Sequence, residues 1–146
     1  MPTRSARTDW TGTLQEGSGR VELSSSGAGT YEVSFPKRAA DDADGTTSPE
    51  ELIAAAHSAC FAMSLSNEIA TAGGTPQALE VKADVSLGAD PAGGFRLTGI
   101  VLTVTGEVEG LDEAGFQAAA QAAKAGCPVS KALTGVEISL VANLES

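Results

Sequence analysis

Cys60 and Cys127 are the only cysteines of this sequence, and His57 is its only histidine. That inventory cannot complete an all-cysteine tetrahedral zinc site or one built from several histidines, so no metal is expected. No glycine-rich phosphate loop is present, because Gly73-Gly74 and Gly93-Gly94 lack the spacing, and there is no Gly-x-Ser-x-Gly elbow of a serine hydrolase. Thiol chemistry is what remains. The cysteines lie 67 positions apart, so they are no Cys-x-x-Cys redox pair and act together only if the fold joins them. The bland reading is a pair of buried, inert thiols.

The surroundings of the two differ. Cys60 falls among Ala59, Phe61, Ala62 and Met63 in the middle of an apolar helical stretch. There the helix dipole gives little help and desolvation raises a thiol's pKa, so a reactive Cys60 needs a nearby cation. Arg38 in the preceding polar segment is the best candidate and Lys37 the second. Cys127 precedes Pro128 where a helix begins, with backbone N–H groups facing its sulfur. Local physics alone selects Cys127 as the thiolate, and spacing leaves the choice open. Glu50 stands ten residues before Cys60, about 15 Å along one helix, so the two cannot touch within it. Glu50 is a helix-start acid favoured by the dipole, or the group that orients Arg38, or a residue that meets Cys60 where helices of two subunits run antiparallel; Glu51 reads as a helix-start acid. His57, one turn before Cys60, is either a base or a packed, hydrogen-bonded core residue.

These residues need elements to hold them. Short strands are predicted over Thr8–Leu14, Arg20–Ser24 and Thr30–Phe35, the last after the turn residues Ser26-Gly27-Ala28-Gly29. The polar run from Pro36 to Thr47 reads as an exposed loop. Ser48-Pro49-Glu50-Glu51 has the signs of a capping box with proline at the first helical position. The helix it opens should run about 22 residues to Gly73-Gly74. Leu52, Ile53, Phe61, Met63, Leu65 and Ile69 fall on nearly every side of it, which predicts a buried helix. Alternation of period two marks strands over Leu79–Leu87 and Phe95–Val108, joined at Asp90-Pro91-Ala92-Gly93-Gly94. A helix over Asp112–Ala125, a short one from Cys127-Pro128 and a strand over Val136–Leu144 complete the order. The result is a single α+β domain over residues 1–146 with largely antiparallel sheets. A homodimer sharing one core is the simplest way to bury so long a helix.

The chain of 146 residues is 42% hydrophobic and 19% charged, a globular composition. Nine basic against 19 acidic residues give a formal charge of −10, which argues against nucleic acid and anionic membrane surfaces. No secretory signal and no stretch of about 20 apolar residues is found, so the cytoplasm is the expected compartment. Thiols stay reduced there, which leaves room for a transient, catalytic disulfide.

The run Ser48-Pro49-Glu50-Glu51-Leu52-Ile53-Ala54-Ala55-Ala56-His57-Ser58-Ala59-Cys60-Phe61 closely resembles that of the OsmC (osmotically inducible protein C) family. Lys124-Ala125-Gly126-Cys127-Pro128-Val129-Ser130 is a second match, and Trp10 with Gly12 and Ala83-Asp84-Val85-Ser86-Leu87 are smaller ones. The resemblance covers nearly the whole chain. It implies an OsmC-like α+β fold in which sheets from both chains of an intertwined homodimer wrap two long central helices. It also implies a peroxidase acting on organic hydroperoxides, related to the organic hydroperoxide resistance (Ohr) proteins. By resemblance Cys60 attacks and Cys127 resolves, while the family's arginine and glutamate fall on Arg38 and Glu50, with Arg20 a weaker substitute for Arg38. The expected chemistry is a sulfenic acid on Cys60, an internal disulfide with Cys127 and reduction by an external dithiol, with dihydrolipoyl groups suggested by the family and no cofactor needed. The competing expectations are a protein that binds a small apolar ligand without turnover and a redox-sensing stress protein.

Overall fold

The structure, a computed structural model, describes residues 1–145, and its contacts divide into two compact units, residues 1–52 and residues 53 onward. In the first, strands β1 (Arg7–Thr11), β2 (Ser18–Glu22) and β3 (Thr30–Val33) form an antiparallel sheet in that order. β1 and β3 are shorter than predicted, and β2 keeps its predicted length but starts two residues earlier. Gly19 stands opposite Trp10, and a Cβ there would lie 2.9 Å from the indole, so only glycine lets the ring lie against the strand.

The segment after β3 departs from the expected loop. Phe35–Arg38 is one turn of helix, α1. Ser34 caps it, its hydroxyl accepting from the Lys37 N–H at 3.3 Å, and Pro36 fits the first turn because its missing N–H is not needed there. This turn sets the position of Arg38.

Helix α2 (Pro49–Thr71) has 23 residues. Ser48 accepts from the Glu51 N–H at 3.1 Å, and the Glu51 carboxylate accepts from the Thr47 hydroxyl, so half of the predicted capping box forms. Burial follows one stripe of four-residue spacing, His57, Phe61, Leu65 and Ile69, all fully enclosed. Met63, on another face, is 73% exposed. The all-round burial expected from the sequence is therefore confined to one face within a single chain, which leaves apolar helix surface uncovered.

The second unit is built on a mixed sheet in the order β4-β5-β6, from β4 (Thr75–Ala89), β5 (Phe95–Glu109) and β6 (Ile138–Glu145). β4 and β5 are an antiparallel hairpin whose turn uses Gly93 and Gly94 at positive φ, with Asp90 accepting from the Ala92 N–H at 3.0 Å. β6 runs parallel to β5. A parallel neighbour requires a long crossover, supplied by helices α3 (Glu113–Gly126) and α4 (Pro128–Ala132). Asp112 caps α3 by accepting from the Gly115 N–H at 2.8 Å. Ile100, Leu102 and Val104 of β5 meet Phe61, Leu65 and Ile69 of α2 and Phe116, Ala119, Ala120 and Ala123 of α3 in one core. Packing of this kind contributes about 1.5–3 kcal/mol per large apolar side chain. The α+β architecture and the largely antiparallel pairing stand as expected. No helix among the described residues is long and apolar enough to cross a membrane.

Candidate active site

The core stripe of α2 holds Cys60 beside it, partly exposed, and the crossover carries Cys127 to the same place. Cys127 ends α3 and starts α4 at once, with extended backbone between them (φ −62°, ψ 122°). Its N–H donates to the Ala123 carbonyl at 2.8 Å and its carbonyl accepts from the Lys131 N–H at 3.0 Å. Both helices thus anchor a residue that belongs to neither. Its side chain is fully buried, and its Sγ lies 3.0 Å from the Cys60 Sγ. Both thiols are free. A disulfide bond is about 2.05 Å long, so closing it asks for a movement of about 1 Å.

The electrostatics of the two sulfurs are opposed. Burial pushes the Cys60 thiol up, and the adjacent Cys127 sulfur pushes it further. Burial would raise Cys127 too, but hydrogen bonding from Cys60, from the Ser130 N–H and hydroxyl and from the Val129 N–H outweighs it and brings Cys127 down. The sulfur makes no formal capping bond to α4, yet the first-turn N–H groups face it closely enough to favour its anion. At 3.0 Å the two sulfurs titrate as a coupled pair, Cys127 favouring the anion and Cys60 the thiol. Exposure ranks the sulfurs the other way, Cys60 being partly exposed and Cys127 enclosed.

His57 is fully buried, one turn before Cys60 on the enclosed stripe. Its Nε2 lies 2.7 Å from the Ser130 hydroxyl, and its Nδ1 has no hydrogen-bond partner among the described residues. Burial holds its pKa below the ordinary 6.5, which favours the neutral ring. Ser130 is the residue that spacing missed. Its signal was its place three residues after Cys127, which puts it on the same side of the first turn of α4.

Within the first unit, α1 and the start of α2 bring Arg38 and Glu50 together. Arg38 Nη2 and Nε donate to Glu50 Oε1 at 2.7 and 2.9 Å, and Nε reaches Oε2 at 3.2 Å. The carboxylate is nearly buried and the guanidinium about one-third exposed. A forked pair of this kind fixes the plane of the guanidinium and leaves its remaining N–H groups available. Lys37 is occupied elsewhere, 3.1 Å from Asp44, and Arg20 lies exposed on β2 opposite Asp9 and Glu32. Arg38 borders a cavity of about 280 Å³ walled by Trp10, Leu14, Val21, Phe35 and Leu52. That wall is apolar; its one cation is Arg38. No cluster of three metal-ligating side chains occurs among the described residues.

Residues 41–141 match the family described as OsmC-like protein. The chain is 42% identical over 137 residues to peroxiredoxin OsmC of Escherichia coli (strain K12), an alignment covering 94% of this chain and 93% of that one. Among solved structures it is similar to the organic hydroperoxide resistance protein OhrB of Bacillus subtilis, with a TM-score of 0.75, 29% identity and coverage of 95% and 98% of the two chains. The organic hydroperoxide resistance protein of Elizabethkingia anophelis is similar at a TM-score of 0.76, with 29% identity and 99% coverage of both.

Proposed function

Because this chain belongs to the OsmC-like protein family, we propose that it is a peroxidase that reduces organic hydroperoxides to alcohols through Cys60 and Cys127. The observation that carries the reading is the 3.0 Å approach of a partly exposed sulfur to a buried one. Cys60, as thiolate, attacks the distal peroxide oxygen. The O–O bond breaks, the alkoxide takes a proton and leaves as alcohol, and a sulfenic acid remains on Cys60. The Cys127 sulfur then attacks the Cys60 sulfur. The S–O bond breaks, hydroxide and the Cys127 proton leave as water, and an internal disulfide forms. An external dithiol, with dihydrolipoyl groups as the candidate donor, restores both thiols.

Cys60 takes the attacking role because it is the reachable sulfur, although Cys127 is the more acidic of the coupled pair. The 3.0 Å contact reconciles the two, since a proton passing from Cys60 to the Cys127 thiolate makes Cys60 the anion without further ionisation. Arg38, held flat by Glu50, supplies positive charge for that anion and for the breaking O–O bond, in one chain or across a homodimer. Exposed Met63 on α2 supports the homodimer. The apolar cavity beside Arg38 suits an alkyl or lipid hydroperoxide better than hydrogen peroxide. Residues 1–146 act as one domain in this reading, and its place of work is the cytoplasm.

The same apolar cavity favours a second reading, a small-ligand carrier without turnover. Dithiothreitol-dependent consumption of cumene hydroperoxide and hydrogen peroxide by wild type, Cys60→Ser and Cys127→Ser separates them. The peroxidase consumes cumene hydroperoxide faster, loses all consumption in Cys60→Ser, and in Cys127→Ser without reductant stops after one equivalent as a sulfenic acid. Absence of consumption by wild type, or a sulfenic acid found on Cys127, defeats this assignment.

A further inference from the structure

The mechanism above leaves a buried histidine unused. A histidine kept only for packing would normally satisfy both ring nitrogens, yet His57 Nδ1 has no partner among the described residues and the ring is fully enclosed. An apolar side chain would fill the space without that cost. The other nitrogen points along a defined path: Nε2 lies 2.7 Å from the Ser130 hydroxyl, and that hydroxyl also hydrogen-bonds the Cys127 sulfur, donating to it as thiolate and turning its proton toward Nε2 when the sulfur carries its own. The route joins α2 to α4 and ends on the resolving cysteine, not on Cys60.

We propose that His57 and Ser130 form a proton relay that activates Cys127 for disulfide formation. The proposal rests on Cys127 being the resolving thiol. When Cys127 attacks the sulfenic acid, its S–H proton passes to the Ser130 oxygen while the Ser130 proton passes to Nε2 of neutral His57. The S–S bond forms as the Cys60 S–O bond breaks. The departing hydroxide takes the proton back from the imidazolium and leaves as water, so the ring ends neutral. Burial suits this role, because it keeps the ring an acceptor and makes the imidazolium release its proton at once. For Nε2 to accept, the neutral ring carries its proton on Nδ1. Ser130 touches the reacting sulfur, and His57 acts through it as a positioning and proton-holding residue.

The test is a single turnover of the full chain with one equivalent of cumene hydroperoxide and no reductant. Peroxide loss reports the first step; dimedone-trapped sulfenic acid against internal disulfide reports the second. His57→Gln keeps a hydrogen-bonding group near Ser130 but cannot accept a proton, Ser130→Ala breaks the path, and Ser130→Thr keeps the hydroxyl. The expected result is first-step rates within about twofold of wild type, disulfide formation slowed about 100-fold in His57→Gln and Ser130→Ala, and recovery to within a few-fold in Ser130→Thr. Wild-type disulfide rates in the first two variants overturn the relay. So does an equal fall of both steps, which marks a packing role, or a Ser130→Thr as slow as Ser130→Ala, a comparison that stands even where His57→Gln does not fold. Failure of the wild type itself to form the disulfide sinks the two-cysteine reading instead.

Discussion

The Cys127 sulfur is enclosed, and the sulfur 3.0 Å from it, that of Cys60, belongs to a partly exposed residue. Reactivity toward reagents in solution must therefore be unequal. Limited iodoacetamide treatment of the reduced protein is expected to label Cys60 and spare Cys127, and prior addition of peroxide should protect both. Peptide mass spectrometry reads the result; preferential labelling of Cys127 would show that burial is not what controls access.

The Arg38–Glu50 fork predicts that shape matters beyond charge. Lysine keeps the cation but cannot engage both carboxylate oxygens in one plane, so Arg38→Lys is expected to lower kcat/KM about tenfold or more while thermal stability changes little. Glu50→Gln should act in the same direction because it releases the guanidinium. Steady-state kinetics with cumene hydroperoxide decide it, and unchanged kcat/KM in both variants would remove the pair from the mechanism.

Burial of His57 gives stability a pH dependence. Its pKa is lowered in the folded chain, so below about pH 6.5 the unfolded chain takes up a proton that the native one refuses. The contribution of this group is complete above that value and is lost as pH falls through the folded pKa. Urea unfolding at pH 7.5 and pH 5.0 should show the wild type losing more stability than His57→Gln, by up to about 1.4 kcal/mol per pH unit. Parallel losses would mean that the ring titrates in the native state as freely as in the unfolded one.

Gly106 on β5 faces the ring of Phe116, and a Cβ there would sit 2.7 Å from its Cε1 and 3.1 Å from Leu79 Cδ2. Phe116 is fully buried and has little room to turn. Gly106→Ala should cost about 1–3 kcal/mol, measured by urea unfolding, because overpacking forces the core apart. A neutral substitution would show that the ring yields.

The face of α2 that carries Met63 tests the homodimer. Met63→Lys is expected to shift sedimentation toward a monomer, whereas a wild type that sediments as a monomer at micromolar concentration would dismiss the shared core.

Much of this was written along the chain in local terms. Period-two alternation marked β4 and β5, Asp112 and Gly126 bracketed α3, and Ser48-Pro49 announced α2. What escaped was long-range or weakly signalled. Alternation in β6 says which residues share a face but not which way the strand runs, so its parallel pairing with β5 was invisible. The α1 turn was hidden in a polar run although Ser34 and Pro36 were its cap signals. The site residues divide in the same way. Motif resemblance pointed to Arg38, Glu50, Cys60 and Cys127, but the contact of His57 with Ser130, 73 positions apart, exists only once the crossover places α4 against α2.

Cys127 is the last word of one helix and the first of the next, and its ψ of 122° lies outside the repeating geometry of either. Its N–H and its carbonyl are each held by one of those helices, so a movement of its sulfur falls on the side-chain torsion and leaves the backbone in place. In the proposed cycle, the change between thiol and disulfide is then taken up at that torsion, with both helices intact.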